Sequence, residues 1–177
     1  MERKLILLSG VHGVGKGHFL KNNFPESNRF TILEASKLIG KYKKADDAGY
    51  KKVKNVSDNQ QILLAALESE RKITKGDIIL DGHLCLLNAE GAIERIPEDF
   101  LIKISVSGVV LLQDNIDNIV NRQNQRDGIE LSSDTIKIIQ EEEIKYCEIL
   151  FHKYEIPYRV IYNTSDYQKF SEIVDRM

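Results

Sequence analysis

Ser9-Gly10-Val11-His12-Gly13-Val14-Gly15-Lys16-Gly17-His18 is the stretch on which the reading of this chain turns. Before it stands Lys4-Leu5-Ile6-Leu7-Leu8, an apolar run of strand length, and after it Phe19-Leu20, so the context is strand, glycine-rich turn, helix. Glycines at 10, 13 and 15 permit torsions closed to other residues, which lets successive N–H groups turn inward around an anion. The following helix adds its positive N-terminal end, and Lys16 reaches the outer phosphates. Gly10, His12, Gly13, Val14, Gly15, Lys16, Gly17 and His18 are therefore candidate nucleotide contacts. Gly17 stands where most phosphate loops carry the Ser or Thr that holds Mg²⁺, and it has no hydroxyl to offer. Either the loop is degenerate or it belongs to a class that holds the metal differently.

Outward from the loop, periodicity predicts strands at Lys4–Ser9, Arg29–Glu34, Asp77–Asp81, Val109–Gln113 and Tyr158–Tyr162, with helices between them. Short apolar strands alternating with helices argue an α/β fold with a parallel sheet covered on both faces. Ser57-Asp58-Asn59-Gln60 reads as a capping box before a helix from Ile62 to Ile73, which Gly76 can terminate. Ser165-Asp166-Tyr167-Gln168 repeats the device before Phe170, Ile173 and Val174. Between Gly82 and Ser107 the alternation breaks: His83–Leu87 and Ala92–Ile96 flank a turn at Asn88-Ala89-Glu90-Gly91, and Pro97 closes what reads as a hairpin insertion.

Two further positions carry chemistry. Ile78-Ile79-Leu80-Asp81 is an apolar strand ending in a carboxylate, which either organises Mg²⁺ and its waters or caps a turn. Arg122 and Arg126, four apart, project from one side if their helix continues. They form either a lid that neutralises a phosphoryl group in transfer or a solvated basic helix end. Near the second strand, Lys37, Lys41, Lys43 and Lys44 make a basic stretch of the kind that usually forms a solvated face.

Length and composition fit these readings. A chain of 177 residues suits one domain, and 42% hydrophobic with 29% charged residues is ordinary for a globular protein. A net charge of −2 supplies no footprint for nucleic acid or a membrane surface, leaving small molecules, a protein partner or a second copy as the expected partners. Cys85 and Cys147 lack metal or redox spacing. Without a leader or a long apolar span to read, the expected compartment is the cytoplasm.

The loop resembles that of adenylate kinase-type nucleoside monophosphate kinases, whose pattern ends Gly-Lys-Gly-Thr; Gly17 matches it, while His12 replaces a Pro and His18 replaces the Thr. Asp81-Gly82 is similar to that family's Asp-Gly-Phe-Pro-Arg motif without its Arg, since Leu84 and Cys85 occupy the region. Asp-x-His followed by a hairpin and Pro97 resembles more closely the archaeal-type branch. Arg122 through Asp127 resembles the Arg-x-x-x-Arg-Asp lid, in which Asp127 would pair with an Arg. On the acceptor side, Ala35 and Gly40 stand where the family has a base-contacting Thr and a phosphate-binding Arg.

The resemblance implies a three-layer P-loop fold over residues 1–177, with sheet order 2-3-1-4-5, an acceptor region near 35–75, a hairpin insertion near 82–107 and a short lid near 121–132. It implies ATP and Mg²⁺ as cofactors, with γ-phosphate transfer to a nucleoside monophosphate. Lys16, Asp81, Arg122 and Arg126 would be catalytic, with Asp81 holding the metal through water, and Ser36, Lys37 and His83 would meet the acceptor. His18 either donates to a phosphate or lies on the helix surface, and Asn163 either meets the adenine or caps a turn. The altered acceptor side keeps two other readings open: an ATP-binding regulatory or partner-binding subunit, and a kinase for a nucleic-acid end or a small metabolite.

Overall fold

A computed structural model describes residues 3–24, 29–46, 56–88, 90–125, 131–162 and 174. β1 (Leu5–Ser9), α1 (Lys16–Asn23), β2 (Phe30–Glu34), α2 (Ala35–Asp46), α3 (Val56–Ile73) and β3 (Asp77–Asp81) make up the first half. A two-stranded antiparallel ribbon, β4 (Cys85–Leu87) and β5 (Ile93–Arg95), comes next with α4 (Glu98–Lys103). β6 (Gly108–Gln113), α5 (Ile116–Asn124), α6 (Ser133–Tyr154) and β7 (Tyr158–Tyr162) complete the described elements.

The main sheet runs β2-β3-β1-β6-β7 with every pairing parallel. Counting sheet strands alone, this is the 2-3-1-4-5 order; β4 and β5 take their numbers from the ribbon inside the insertion. All residues of β1 and β6 are buried, the continuous apolar pattern of central parallel strands covered on both faces. Each buried Leu or Ile here contributes about 1.5–3 kcal/mol by leaving water. Strand register aligns the polar ends: Leu8 lies beside Asp81, Asp81 beside Glu34, and Ser9 beside Leu111. Ser9, Glu34 and Asp81 thus come together at the carboxyl edge of the sheet, where open α/β folds place their ligands.

Helix termini are closed locally. Asn115 accepts from the Asp117 N–H at the start of α5, and Ser132 from the Thr135 N–H at the start of α6. The first anticipated capping box is displaced, because α3 begins at Val56 and Ser57 falls inside its first turn. The box at Ser165 lies outside the described residues, although Val174 beyond it is helical and buried. The ribbon turn is held by Asn88, whose Oδ1 accepts from the N–H groups of Glu90 and Ala92. The insertion also contains α4, which periodicity does not reveal. Pro97 starts that helix rather than merely closing the ribbon.

Candidate active site

The phosphate loop leaves β1 at Ser9 and enters α1 at Lys16, with Gly15 at the helix N-cap in a left-handed conformation. Gly13 has φ +86, and a Cβ there would stand 2.8 Å from Cγ of Gln123, so both torsion and space demand glycine. Nothing lies within 4 Å of a Cβ at Gly17. Its missing side chain is therefore not a packing requirement.

Lys16 is buried at the centre of the site, its Nζ donating to the Gly10 carbonyl at 2.8 Å and lying 3.0 Å from His83 Nε2 and 3.9 Å from Asp81 Oδ1. Burial lowers its pKa, opposed by the charges of Asp81 and Glu143. Because an ammonium only donates, His83 Nε2 must accept, which makes His83 a neutral imidazole with its proton on Nδ1. Burial, Lys16 and His12 together push its pKa down to about 3, in keeping with that tautomer. Burial raises the Asp81 pKa and Glu34 adds to the rise, while Lys16 and Lys37 work against it.

These groups line a cavity of about 300 Å³ walled by residues 11–17 of the loop, by Glu34, Ala35 and Ser36, and by Asp81, Gly82 and His83. Ala35, Ser36, Gly82 and His83 are shared with a second cavity of about 240 Å³, whose other walls include Ile39 of α2, Leu63 of α3, Leu86 of β4 and Phe100 of α4. Asn59 and Gln60 supply polar edges to this otherwise apolar space. Among the described residues no group of three or more His, Cys, Asp or Glu is arranged to hold a metal ion by itself. Two carboxylates, an ammonium and loop N–H groups around one cavity nevertheless fit a hard divalent cation carried on phosphates and water.

The back of the loop is braced. Arg122 Nη1 donates to the carbonyls of Gly13 and Val14 at 3.3 and 3.1 Å, and its Nη2 pairs with Asp114. Gln123 Nε2 donates to the His12 carbonyl at 2.6 Å, while its Oε1 accepts from the Leu131 N–H. Burial of Asp114 works to raise its pKa, but hydrogen bonds from Arg122, Asn118 and the Asn115 N–H hold it below the ordinary carboxylate range.

The sequence candidates distribute unevenly over this geometry. Gly13, Val14, Gly15, Lys16, Gly17, His12, Ser36, Asp81 and His83 share the phosphate cavity, and Gly10 lends its carbonyl to Lys16. His18 lies outside that wall, exposed on α1 with its ring against Asn22. Lys37 is exposed and bound to Glu34 at 2.6 Å. Arg122 belongs to α5 and faces the loop carbonyls rather than a detached lid, and its carboxylate partner is Asp114. Arg126, Asp127 and Asn163 lie outside the described residues.

Sequence reasoning missed Asp114, Gln123 and Glu143. Asp114 follows an apolar strand as Asp81 does, a usable signal. Glu143 sits in the run Gln140-Glu141-Glu142-Glu143, which looks solvated until its helical phase with Ile136, Ile139 and Cys147 is counted. Gln123 carries no signal of its own.

With this geometry in view, a family model described as an AAA domain matches residues 9–141. The chain belongs to that family. No curated protein sequence matches it significantly. Among solved structures, a tunicamycin resistance protein from Deinococcus radiodurans is similar over 99% of this chain and 95% of its own, with a TM-score of 0.61 at 13% identity. A sugar kinase from Janibacter sp. HTCC2649 is similar over 98% of this chain and 92% of its own, with a TM-score of 0.55 at 14% identity. A shikimate kinase from Bacteroides thetaiotaomicron covers 97% and 98%, with a TM-score of 0.53 at 12% identity. At these identities the likeness shows the fold, that of a P-loop kinase. Among the described residues no helix is long and apolar enough to cross a membrane.

Proposed function

We propose that this protein transfers the γ-phosphoryl group of ATP to a small organic acceptor, with a nucleoside monophosphate as the leading class. The observation that carries the reading is the junction of the two cavities at Ala35, Ser36, Gly82 and His83. A phosphate-binding space opens there onto an apolar one with amides at its edge. A nucleobase is planar, poorly hydrated on its faces and polar at its rim, which suits walls of Ile39, Leu63 and Phe100 edged by Asn59 and Gln60.

The residues divide the work by position. Lys16 and the loop N–H groups bind the outer phosphates, and His83 keeps the Lys16 ammonium turned into the cavity. Arg122 and Gln123 hold the loop carbonyls outward, so that the N–H groups stay aimed at the anion. Mg²⁺, when bound with ATP, would neutralise charge on the β- and γ-phosphates, and Asp81 would orient its waters. An acceptor oxygen at the junction attacks in line, so no protein nucleophile is needed.

A second reading, an uncharged alcohol as acceptor, is favoured by the absence of Arg and Lys among the described walls of the apolar cavity. A hydroxyl acceptor loses a proton during transfer, and Asp81 or Glu34 stands at the junction to receive it.

The two readings separate in one assay. The protein is incubated with Mg²⁺ and ATP against ribo- and deoxyribonucleoside monophosphates and, in parallel, sugars and cyclic polyols, with product followed by anion-exchange chromatography. Diphosphate formation supports the first reading, and phosphorylation confined to the alcohols supports the second. Tight ATP binding with no phosphorylated acceptor would sink both and leave a nucleotide-binding subunit. Lys16→Ala should abolish binding and turnover in every arm.

A further inference from the structure

Glu143 projects from α6 into the core beneath the phosphate loop, where it is fully buried. Its Oε1 accepts from Ser9 Oγ at 2.7 Å, and Ser9 Oγ in turn accepts from the Leu84 N–H at 2.8 Å. Leu84 follows His83, whose Nε2 lies against Lys16 Nζ, and the Leu84 carbonyl receives the Ile96 N–H of the returning ribbon strand. One chain of bonds therefore runs from α6 through the last residue of β1 to the segment shared by the two cavities. The other oxygen, Oε2, is buried without a hydrogen-bond partner among the described residues.

A buried carboxylate with one empty oxygen is costly to ionise, and few neighbours offset the cost. Among the described residues Lys16 is a cation whose field favours its ionised form, and the Gly10 and Leu84 N–H groups assist. Cys85 from the ribbon and Cys147 on its own helix feel the same negative field, their thiol pKa values raised by burial first and by Glu143 next. Glu142 beside it adds negative charge at Cys85 and is itself bound by Arg95. Asp81 and His83 also lie against Lys16, Asp81 drawing on the same positive charge. Burial lifts the Glu143 pKa to about 7, against the Ser9 bond and Lys16.

We propose that Glu143 is a positioning residue for the phosphate loop: through Ser9 and Leu84 it sets His83 against Lys16, and it takes up a proton when nucleotide phosphates claim the charge of Lys16. The inference rests on the reading of the loop as a nucleotide-phosphate site. Its physical basis is linkage. Phosphate oxygens placed around Lys16 bring negative charge toward a carboxylate that, among the described residues, draws on Lys16 as its cation, so the neutral acid becomes the better-solvated form. Ser9 and the backbone bonds persist in that form, because a protonated carboxyl still offers a carbonyl oxygen to the Ser9 hydroxyl.

The test is calorimetric titration of the full chain with MgATP at pH 7, in two buffers of different ionisation enthalpy, so that proton uptake is read directly. Wild type, with Glu143 already about half protonated at pH 7, should take up at most about half a proton per nucleotide. Glu143→Gln, which keeps the Oε1 acceptor and cannot titrate, should lose that uptake while still binding MgATP. Ser9→Ala removes a donor to the anion and should move the pH of greatest uptake upward, an effect that simple loosening of the core does not produce. Uptake unchanged in Glu143→Gln, with MgATP bound normally, overturns this inference and leaves the phosphotransfer reading standing. No MgATP binding by wild type overturns both.

Discussion

The two cavities that meet at His83 are built on opposite principles. Around the phosphate loop four backbone carbonyls are held by polar side chains: Arg122 on those of Gly13 and Val14, Gln123 on that of His12, and the loop's own Lys16 on that of Gly10. In the second cavity the walls are mostly aliphatic and aromatic, with few polar groups to fix a ligand's orientation. Phosphate is the same in every nucleotide, so its site can be rigid and fully specified. An apolar wall is adapted by changing side-chain volume, which on the proposed reading makes it the place where acceptor choice is set.

That contrast breaks first at the brace. Arg122→Ala leaves the Asp114 carboxylate, whose side chain is 4% exposed, without its guanidinium partner, and frees two loop carbonyls. The expected result is a loss of about 3 kcal/mol of stability in chemical denaturation and a weakening of MgATP binding of about tenfold. Unchanged binding would mean that the brace serves the fold alone.

The next effect is one of pH. Glu143 has a folded pKa raised to about 7 from an ordinary 4.5, so the stability it contributes is fully present below the unfolded value and lost as pH rises through about 7. Wild type should therefore lose on the order of 2 kcal/mol between pH 5 and pH 8 relative to Glu143→Gln, in paired melting curves. Parallel curves for the two proteins would contradict a buried, titrating carboxylate.

On the acceptor side, Ile39→Phe narrows only the apolar cavity. It should raise the acceptor KM by about tenfold, a cost of about 1.4 kcal/mol, and leave the MgATP Kd unchanged. An equal effect on both ligands would erase the distinction between the halves. The smallest change is Gly17→Ser: with open space at that Cβ and a better helix former, stability should rise by at most about 0.5 kcal/mol. A clear loss in the melting temperature would show that Gly17 is required after all.

Much of the frame was legible in local pattern. The five sheet strands were readable to within a residue, because a short apolar run bounded by turn residues leaves little freedom of assignment. The helix α4 was not, since six residues between a proline and a turn offer too little periodicity. Asp81 and Lys16 were legible because a strand end and a glycine loop each announce a position. Arg122 was legible as a cation, whereas its direction was not: four-residue spacing to Arg126 gives a helix face, and the Asp114 carboxylate and the loop carbonyls decide what that face meets.

The sequence alone determined the parallel α/β frame, the glycine-rich loop between β1 and α1 and the carboxylate at the end of β3, all of which rest on spacing along the chain. Tertiary structure decided the rest, because it depends on groups far apart in sequence: Glu143 reaches Ser9 across 134 positions, and Gln123 reaches His12 across 111. Burial is what gives those contacts their weight. The same glutamate in water would be an ordinary surface charge, whereas beneath the loop its ionisation is tied to burial and to Lys16.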